Sequence, residues 1–263
     1  MERWKGRTAL VTGASSGIGY TIADTLAQHG MNVVACARNI STIEELVRKH
    51  ETAGNGRIEA VQCDVTSEAD IQRMFSHIEQ RYSHVDVLIN NAGIAKLGDF
   101  LTGQSEKWLD MFQTNVLGMS MCARETLKLM QKNGITDGHI ILINSYGGHK
   151  NITYGPMHFY SATKHMVTAL AEALYRQVRA MTPKNNIRIT DISPGVVADT
   201  QLMPRAFADA ASESRPAASR LTASEYQRLR TEDVANTVLF VLSAPLYVNV
   251  KTVILCSTEQ PEV

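Results

Sequence analysis

Near its start the chain reads Thr8-Ala-Leu-Val-Thr-Gly-Ala-Ser-Ser-Gly-Ile-Gly19. The first five residues form a short apolar run that is typical of a buried strand, and a helix is predicted to begin within the glycine-rich part. Glycines here let the backbone turn sharply and approach a pyrophosphate closely, while the start of the helix supplies amide donors and positive potential. A purely structural strand-to-helix turn would carry similar glycines, but the placement favours dinucleotide binding.

The same alternation of apolar runs and helical spacing continues to the end of the chain. Ile71, Met74 and Ile78 are one example of helical spacing. Strands that alternate with helices form βαβ units, and such units build a parallel sheet covered by helices on both faces. Because no linker or repeat divides the sequence, we predict a single Rossmann-type doubly wound α/β domain over residues 1–263, with a seven-stranded parallel sheet. Besides the run at Thr8, the predicted strands begin at Asn32, Ile58, Val85, His139, Ile187 and Thr252.

The composition excludes several other classes of protein. The 263 residues are 44% apolar, and 26 Lys and Arg balance 26 Asp and Glu, so the formal net charge is zero. Disordered chains are less apolar and more highly charged, and nucleic-acid binders usually carry a basic excess. No apolar run approaches the roughly 18 residues that cross a bilayer. We therefore expect a globular protein with no membrane span and no nucleic-acid partner.

Cysteine and histidine spacing gives no sign of a disulfide scaffold or a metal site. The four cysteines, at positions 36, 63, 122 and 256, lie far apart, and the eight histidines lack metal-ligand spacing. A zinc ribbon or a disulfide framework would have more cysteines, closer together. We expect reduced thiols, no bound metal and a cytoplasmic location.

One irregular stretch, about residues 198–226, follows the sixth predicted strand. Ligands of doubly wound sheets bind at the carboxyl ends of the strands, so an insertion there is predicted to be a substrate lid. An apolar group near its start suits a lipid-like substrate. The alternative is that these side chains only pack the loop onto the domain. The group is Leu202, Met203, Pro204 and Phe207.

The end of the second strand discriminates between the two nicotinamide dinucleotides. A free ribose 2′-hydroxyl requires an acidic partner there, whereas a 2′-phosphate requires a cation. The sequence has Ala37 where the acid would lie and Arg38 next to it. A guanidinium can pair with phosphate through two hydrogen bonds. Arg38 could instead be an ordinary solvated side chain, but the absence of an acid favours NADP.

Tyr160 and Lys164 lie four residues apart at the start of a predicted helix, which places them on one face. A phenol is a poor base at neutral pH, but a nearby cation favours the phenolate and lowers its pKa. Ser145 ends the fifth predicted strand, at the same edge of the sheet, where its hydroxyl could hold a substrate oxygen. Taken alone, each has a structural alternative: a surface Tyr, a surface Lys and a Ser that completes a turn.

Together, these motifs resemble the short-chain dehydrogenase/reductase family, in particular its NADP-preferring members. The resemblance extends from Arg7 to about Cys256. It rests on ordered motifs at the family's spacing. They are Thr12-Gly-x-x-x-Gly-x-Gly19, Asp64 after the third strand, Asn90-Asn-Ala-Gly93, Asn115, Ser145, Tyr160-x-x-x-Lys164 and Pro194-Gly195.

The resemblance implies a role for each matching residue. Tyr160 would be the general acid/base, and Lys164 would lower its pKa while bonding the nicotinamide ribose. Ser145 would orient the substrate carbonyl, and Asn115 would anchor a water that relays protons from Lys164. The other residues implied to bind the cofactor are Gly13, Ser15, Ser16, Gly17, Ile18, Gly19, Arg38, Asn39, Glu44, Asp64, Val65, Asn91, Ala92, Gly93, Pro194, Gly195, Val196, Val197 and Thr200.

The resemblance also assigns the two ends of the cofactor. Asp64 and Val65 would flank the adenine, whereas the backbone of Val196 and Val197 would hold the nicotinamide carboxamide. Thr200 lies one residue later than the family's usual position, which leaves its contact with the cofactor open.

Four short motifs resemble a narrower group within the family, the member-eleven dehydrogenase/reductases and the insect farnesol dehydrogenases. This resemblance implies an NADP(H)-dependent oxidoreductase acting on a small apolar alcohol or ketone such as farnesol, assembled as a homodimer or homotetramer. The alternatives are a 3- or 17-hydroxysteroid dehydrogenase, a general carbonyl reductase and a non-catalytic NADP-binding regulator. The motifs are Met1-Glu-Arg-Trp4, Gly138-His-Ile-Ile141, His158-Phe-Tyr-Ser-Ala-Thr-Lys164 and Thr258-Glu-Gln260.

Overall fold

A parallel sheet of seven strands forms the centre of the molecule. The computed structural model describes residues 1–51, 56–152, 156–181, 184–208 and 226–260. The strands pair in the order β3-β2-β1-β4-β5-β6-β7, all parallel. Each predicted strand is present, so the predicted α/β fold with a seven-stranded parallel sheet is confirmed. The strands are β1 Thr8–Thr12, β2 Asn32–Ala37, β3 Arg57–Gln62, β4 Val87–Asn90, β5 His139–Ile143, β6 Arg188–Pro194 and β7 Thr252–Leu255.

Helices connect the strands and cover both faces of the sheet. A π-helical turn, Gln113–Gly118, joins the fourth helix to the fifth, and short 3₁₀ turns lie at Glu2–Trp4 and Tyr146–Gly148. No helix in the described part of the chain is long and apolar enough to cross a membrane. The helices are α1 Gly17–Gln28, α2 Ser41–Glu51, α3 Glu68–Tyr82, α4 Ser105–Phe112, α5 Met119–Lys132, α6 His158–Ala180, α7 Leu202–Ala208 and α8 Thr231–Ser243.

Two apolar layers sandwich the sheet. On one face α1, α2 and α8 pack through side chains such as Leu26 and Val238, and on the other face α3, α5 and α6 pack through side chains such as Ile78 and Val167. The middle strands are therefore buried on both sides, and β1 and β5 have no exposed residue. This explains why these strands read as continuous apolar runs rather than alternating ones.

The strand order creates a cleft at one edge of the sheet. From β1 the chain proceeds outward to β2 and β3, then returns to β4 on the other side of β1 and continues to β7. The connections that follow β1 and β4 leave these strands in opposite directions. A crevice therefore opens between them at the carboxyl ends of β1 and β4. Of the predicted lid, residues 198–208 and 226 lie in the described part of the chain, whereas 209–225 lie outside it.

Candidate active site

The glycine-rich loop after β1 forms one wall of the cleft, and its glycines are required by its geometry. Gly13 and Gly17 have φ of 66° and 57°, in the region that side-chain-bearing residues rarely adopt. A Cβ placed on Gly19 would lie 2.4 Å from Asn91 Nδ2 and 2.5 Å from the Gly13 carbonyl oxygen. The loop therefore packs against its neighbours in a way that only glycine permits.

A network around Thr12 holds this loop against β4. Thr12 Oγ1 accepts hydrogen bonds from the amides of Asn91 at 2.9 Å and Ala92 at 3.0 Å. In return, Asn91 Nδ2 donates to the carbonyl oxygens of Thr12 and Gly13. The Asn91 side chain thus braces the loop from behind. Sequence reasoning missed the role of Thr12, although its position directly before Gly13 was a signal.

The start of α1 presents hydrogen-bond donors to the cleft. The helix begins at Gly17, and the side chain of the preceding residue, Ser16, makes no capping hydrogen bond. The first-turn amides of a helix have no partner within the helix. Together with the helix dipole, they form a site for a phosphate group. The residues present therefore fit the pyrophosphate of a dinucleotide.

The adenine end of the cleft is formed by the ends of β2 and β3. Arg38 and Asn39 line it, and Asn39 Oδ1 also accepts hydrogen bonds from the Ser41 amide and hydroxyl, both at 3.0 Å. Asp64 Oδ1 accepts from the amide of Thr66 at 2.9 Å. Glu44 lies in the first turn of α2 and does not line the cleft.

The predicted catalytic side chains meet in the same cavity, whose volume is 1110 Å³. Tyr160 and Lys164, one turn apart on α6, are both buried, with 4% of each residue exposed. Ser145 follows β5 and caps the 3₁₀ turn after it, accepting a hydrogen bond from the Gly147 amide at 3.1 Å. The structure thus brings the phenol, the amine and the hydroxyl to the carboxyl edge of the sheet.

The expected lowering of the Tyr160 pKa by Lys164 is wrong for the folded chain by itself. Burial raises the pKa of Tyr160 to about 12, opposed only by a hydrogen bond with Ser145. Lys164 Nζ lies 5.9 Å from the centre of the Tyr160 ring and donates to the Ile143 carbonyl at 3.1 Å. Burial lowers the pKa of Lys164 to about 8, with Asp191 opposing this effect. Desolvation disfavours the charged form of both groups.

Asn115 lies in the π-helical turn between α4 and α5, behind the cavity wall rather than on it. Its Oδ1 accepts from the Ile94 amide at 2.8 Å, and its Nδ2 donates to the Ile94 carbonyl and to Thr163 Oγ1. A Cβ placed on Gly93 would lie 3.4 Å from Asn115 Oδ1 and 3.8 Å from Lys164 Nζ. Asn115 therefore braces the strand-to-helix connection next to Lys164. Single-turn π-helices are frequent at functional sites.

The end of the cleft where the nicotinamide is expected contains a residue that sequence reasoning did not place there. Gln260 Oε1 accepts a hydrogen bond from the Val196 amide at 2.8 Å, and the Val196 carbonyl accepts one from the Leu229 amide. Both backbone groups of Val196 are thus already bonded within the chain. The signal was the terminal motif that contains Gln260. Thr200 lies beside Gly17, within 3.4 Å of a Cβ placed there.

An apolar cluster closes the cleft next to Tyr160. It joins the segment after β4 to α4, α6 and the first turns of α7. Within it, the rings of Trp108 and Phe159 stack with centroids 5.3 Å apart, and Phe207 is half-buried against the cluster. Pro204 is exposed, and neither Pro204 nor Phe207 belongs to the cavity lining. The apolar residues of this region that line the cavity include Ile94, Ile152, Met157, Leu202 and Met203.

Most of the residues expected at the site line this single cavity. Of the expected catalytic and cofactor-binding residues, Asn115 and Glu44 do not line it. Those that do are Gly13, Ser15, Ser16, Gly17, Ile18, Gly19, Arg38, Asn39, Asp64, Val65, Asn91, Ala92, Gly93, Ser145, Tyr160, Lys164, Pro194, Gly195, Val196, Val197 and Thr200.

This combination of fold and cleft agrees with comparisons to known proteins. Residues 7–211 match the protein family described as short chain dehydrogenase. The chain belongs to the short-chain dehydrogenase/reductase family of oxidoreductases. It is 44% identical over 261 residues to human dehydrogenase/reductase SDR family member 11, covering 99% of this chain and 97% of that protein. It is 38% identical over 251 residues to farnesol dehydrogenase of Aedes aegypti, covering 95% of each.

Solved structures agree with this assignment. The closed form of a serine dehydrogenase complexed with NADP⁺ superimposes with a TM-score of 0.85 at 28% identity, covering 97% of this chain and 96% of that one. A single-substitution variant of actinorhodin polyketide ketoreductase with NADPH gives a TM-score of 0.80 at 30% identity, covering 95% and 96%. The predicted resemblance to the family, and within it to member eleven and to the farnesol dehydrogenases, is confirmed.

Proposed function

We propose that this protein is an NADP(H)-dependent oxidoreductase that interconverts an apolar alcohol and its carbonyl product, with an isoprenoid alcohol such as farnesol as the favoured substrate. The observation that carries the proposal is the single cavity of 1110 Å³, which joins a phosphate-binding loop, Arg38, the Ser145–Tyr160–Lys164 group and an apolar end. A cavity of this kind suits a dinucleotide in contact with an apolar substrate.

The chain's own residues supply the proton chemistry. When bound, the nicotinamide accepts a hydride from the substrate carbon or donates one to it. Ser145 Oγ orients the substrate oxygen. Tyr160 Oη takes the hydroxyl proton during oxidation and returns it during reduction. Because its pKa is about 12, the phenol is protonated at neutral pH and ready to donate. Lys164 bonds the ribose and counters the charge of a developing phenolate.

The preference for NADP rests on Arg38. Arg38 is exposed and lines the cavity at the end of β2, where the adenine is expected. The residue at the end of β2 is Ala37, so no carboxylate stands where it would repel a 2′-phosphate. A guanidinium binds such a phosphate with charge-assisted hydrogen bonds. The NADP⁺ and NADPH in the two similar solved structures also support this choice.

The apolar end of the cavity supports a lipid-like substrate. Flexible methionines, Met157 and Met203, line it together with aliphatic side chains, and such surfaces adapt to long apolar chains. The name of the Aedes aegypti relative, farnesol dehydrogenase, points to the same substrate class. The α7 residues at this end belong to the described part of the proposed lid.

Assembly and location complete the proposal. We propose a homodimer or homotetramer, because Leu109, Leu117 and Phe240 are large apolar side chains that the single chain leaves exposed. Sedimentation velocity would measure the state directly. The four cysteines are free, which supports a reducing cytoplasmic compartment.

The test is turnover of a substrate panel with each cofactor. Farnesol, steroid alcohols and dicarbonyl compounds are assayed with NADP and with NAD, at equal protein concentration and in both directions. The highest kcat/KM is expected for farnesol with NADP. A steroid or dicarbonyl preference would replace the substrate assignment, a preference for NAD would replace the cofactor assignment, and binding of NADP without any turnover would indicate a regulator.

A further inference from the structure

A buried carboxylate lies on β6, the strand that follows α6 in the chain. Asp191 is in the middle of β6 and is 1% exposed. Its Oδ1 accepts a hydrogen bond from Ser193 Oγ at 2.6 Å, and its Oδ2 accepts one from Asn144 Nδ2 at 3.0 Å. In the described part of the chain, its ion-pair contact is the ring of His149, at 3.7 Å, and no Lys or Arg pairs with it directly.

The contacts of Asp191 connect it to Lys164. The Lys164 amine donates to the Ile143 carbonyl, and the next residue is Asn144, whose side chain holds Asp191. Asn144 Nδ2 also donates to Thr168 Oγ1 at 2.9 Å, and the Thr168 hydroxyl donates to the Gly148 carbonyl at 2.9 Å. The amine and the carboxylate are thus bonded to two consecutive residues at the end of β5, Ile143 and Asn144.

An ionised carboxylate at this buried position lowers the free energy of unfolding unless nearby groups stabilise its charge. All seven residues of β6 are buried, and an isolated carboxylate in such a strand destabilises the fold. Hydrogen bonds from Asn144 and Ser193 offset part of this cost, and a nearby cation offsets more. The amine of Lys164 is also buried, and a nearby anion would stabilise its positive charge.

We propose that Asp191 is a positioning residue that keeps the Lys164 amine protonated within the buried site. The titratable groups near this amine are Asp191 on β6, which acts on it electrostatically, the ring of His149 beside Asp191, and Tyr160 one turn earlier on α6. Burial moves the pKa of Lys164 down to about 8, and the charge of Asp191 opposes that shift. The expected change in turnover rests on the proposed function, whereas the effect of Asp191 on the protonation of Lys164 does not.

The direct test is the titration of Lys164 in the full-length protein without added substrate. Lysine labelled with ¹³C at Cε is followed by NMR as the pH is raised, and the Lys164 signal is assigned by its loss in Lys164→Arg. In Asp191→Asn, the midpoint is expected to fall by about one pH unit, because a neutral amide no longer favours the cation. Ser193→Ala is the matched control, since it removes a hydrogen bond to Asp191 but keeps the carboxylate, and its midpoint should stay at the wild-type value.

An unchanged Lys164 midpoint in Asp191→Asn overturns the proposal, as does an equal fall in Ser193→Ala. If Asp191→Asn does not fold, Asp191→Ser provides a second neutral replacement under the same criteria. In turnover assays the alkaline limb of the kcat/KM profile should move to lower pH in Asp191→Asn, by the same amount as the NMR midpoint. If wild type turns over no alcohol at all, the proposed function fails, while the NMR titration still decides the role of Asp191.

Discussion

Tyr160 is the residue on which the chemical assignment depends. It is a buried phenol in hydrogen-bond contact with Ser145, and its pKa of about 12 keeps it protonated at neutral pH. A phenol that donates its proton during reduction and takes one up during oxidation needs a partner that stabilises its charged form. Lys164 can act as that partner only if it is itself a cation, which makes the charge state of Lys164 decisive.

Tyr160→Phe should lose nearly all turnover. The substitution keeps the ring and removes only the group that transfers the proton, so a fall in kcat of at least about 100-fold is expected. Cofactor affinity and melting temperature should stay close to the wild-type values, measured by fluorescence titration and calorimetry. A kcat within a few-fold of wild type would remove Tyr160 from the mechanism.

Arg38→Ala should discriminate between the two cofactors. Loss of charge-assisted bonds to the 2′-phosphate is expected to raise the Kd for NADPH by about ten- to a hundredfold. The Kd for NADH should change little. Arg48→Ala, an exposed arginine on α2 outside the cavity, is the matched control. Equal losses for NADPH and NADH in Arg38→Ala would show that Arg38 has a structural role.

Two elements line opposite parts of the cavity, the glycine-rich turn from β1 into α1 and the short helix α7, and we propose that they position the cofactor and the substrate. The turn is held against the end of the neighbouring strand β4 by hydrogen bonds that Asn91 donates to Thr12. Helix α7 packs its half-buried side chains on an apolar cluster next to Tyr160. A substitution in the turn should affect the cofactor, whereas one in α7 should affect the substrate.

Gly19→Ala should impair cofactor binding. The added methyl would lie 2.4 Å from Asn91 Nδ2 and 2.5 Å from a backbone oxygen, so the loop must move. Overpacking of this kind costs about 1–3 kcal/mol of unfolding free energy, and the displaced loop should bind NADPH more weakly. Gly134→Ala is the control for a glycine substitution that meets no neighbour: unlike Gly19, Gly134 has a positive φ, and no atom lies within 4 Å of its Cβ position, so only backbone strain is added. Its stability should fall while its NADPH affinity stays unchanged, as titration calorimetry would show.

Phe207→Ala tests whether α7 acts as a lid. If Phe207 contacts a long apolar substrate, KM for farnesol should rise by about tenfold, since a buried aromatic ring contributes roughly 1.5–3 kcal/mol. NADP affinity and melting temperature should be nearly unchanged. Tyr247→Ala, at an exposed aromatic position after α8, should leave KM, NADP affinity and melting temperature at their wild-type values. A lower melting temperature with an unchanged KM would assign Phe207 to packing.

At the scale of the whole molecule, the buried active-site charges reduce stability. The pKa of Lys164 falls from 10.5 to about 8 on folding, so below pH 8 the fold holds a cation that water would solvate better. Between about pH 8 and 10.5 the unfolded chain binds more protons than the native chain, and stability rises with pH. The buried Lys164 amine thus lowers the stability of the scaffold below about pH 8, where it is charged in the folded chain.

Comparing wild type with Lys164→Met should isolate the contribution of Lys164 to the pH dependence of the unfolding free energy. The contributions of the other titrating groups cancel in the difference. Relative to this variant, wild type should gain about 1.4 kcal/mol of unfolding free energy per pH unit above pH 8, or about 2 kcal/mol at pH 9.5. Urea denaturation at pH 7 and pH 9.5 measures the difference. A difference independent of pH would mean that the Lys164 pKa is not lowered on folding.

The sequence by itself determined the seven strands, the position of the glycine-rich turn, and the Tyr160–Lys164 pair, because each depends on local periodicity or short spacing. Only the tertiary structure decided which way the Tyr160 pKa moves, since that direction depends on burial by distant segments. The hydrogen bond from the Val196 amide to Gln260, 64 positions away in the sequence, is also visible only in the tertiary structure. So is the hydrogen bond from Asn144, which directly follows the neighbouring strand β5, to Asp191. Spacing along the chain reports local conformation, but solvation and long-range hydrogen bonds exist only once the sheet has formed.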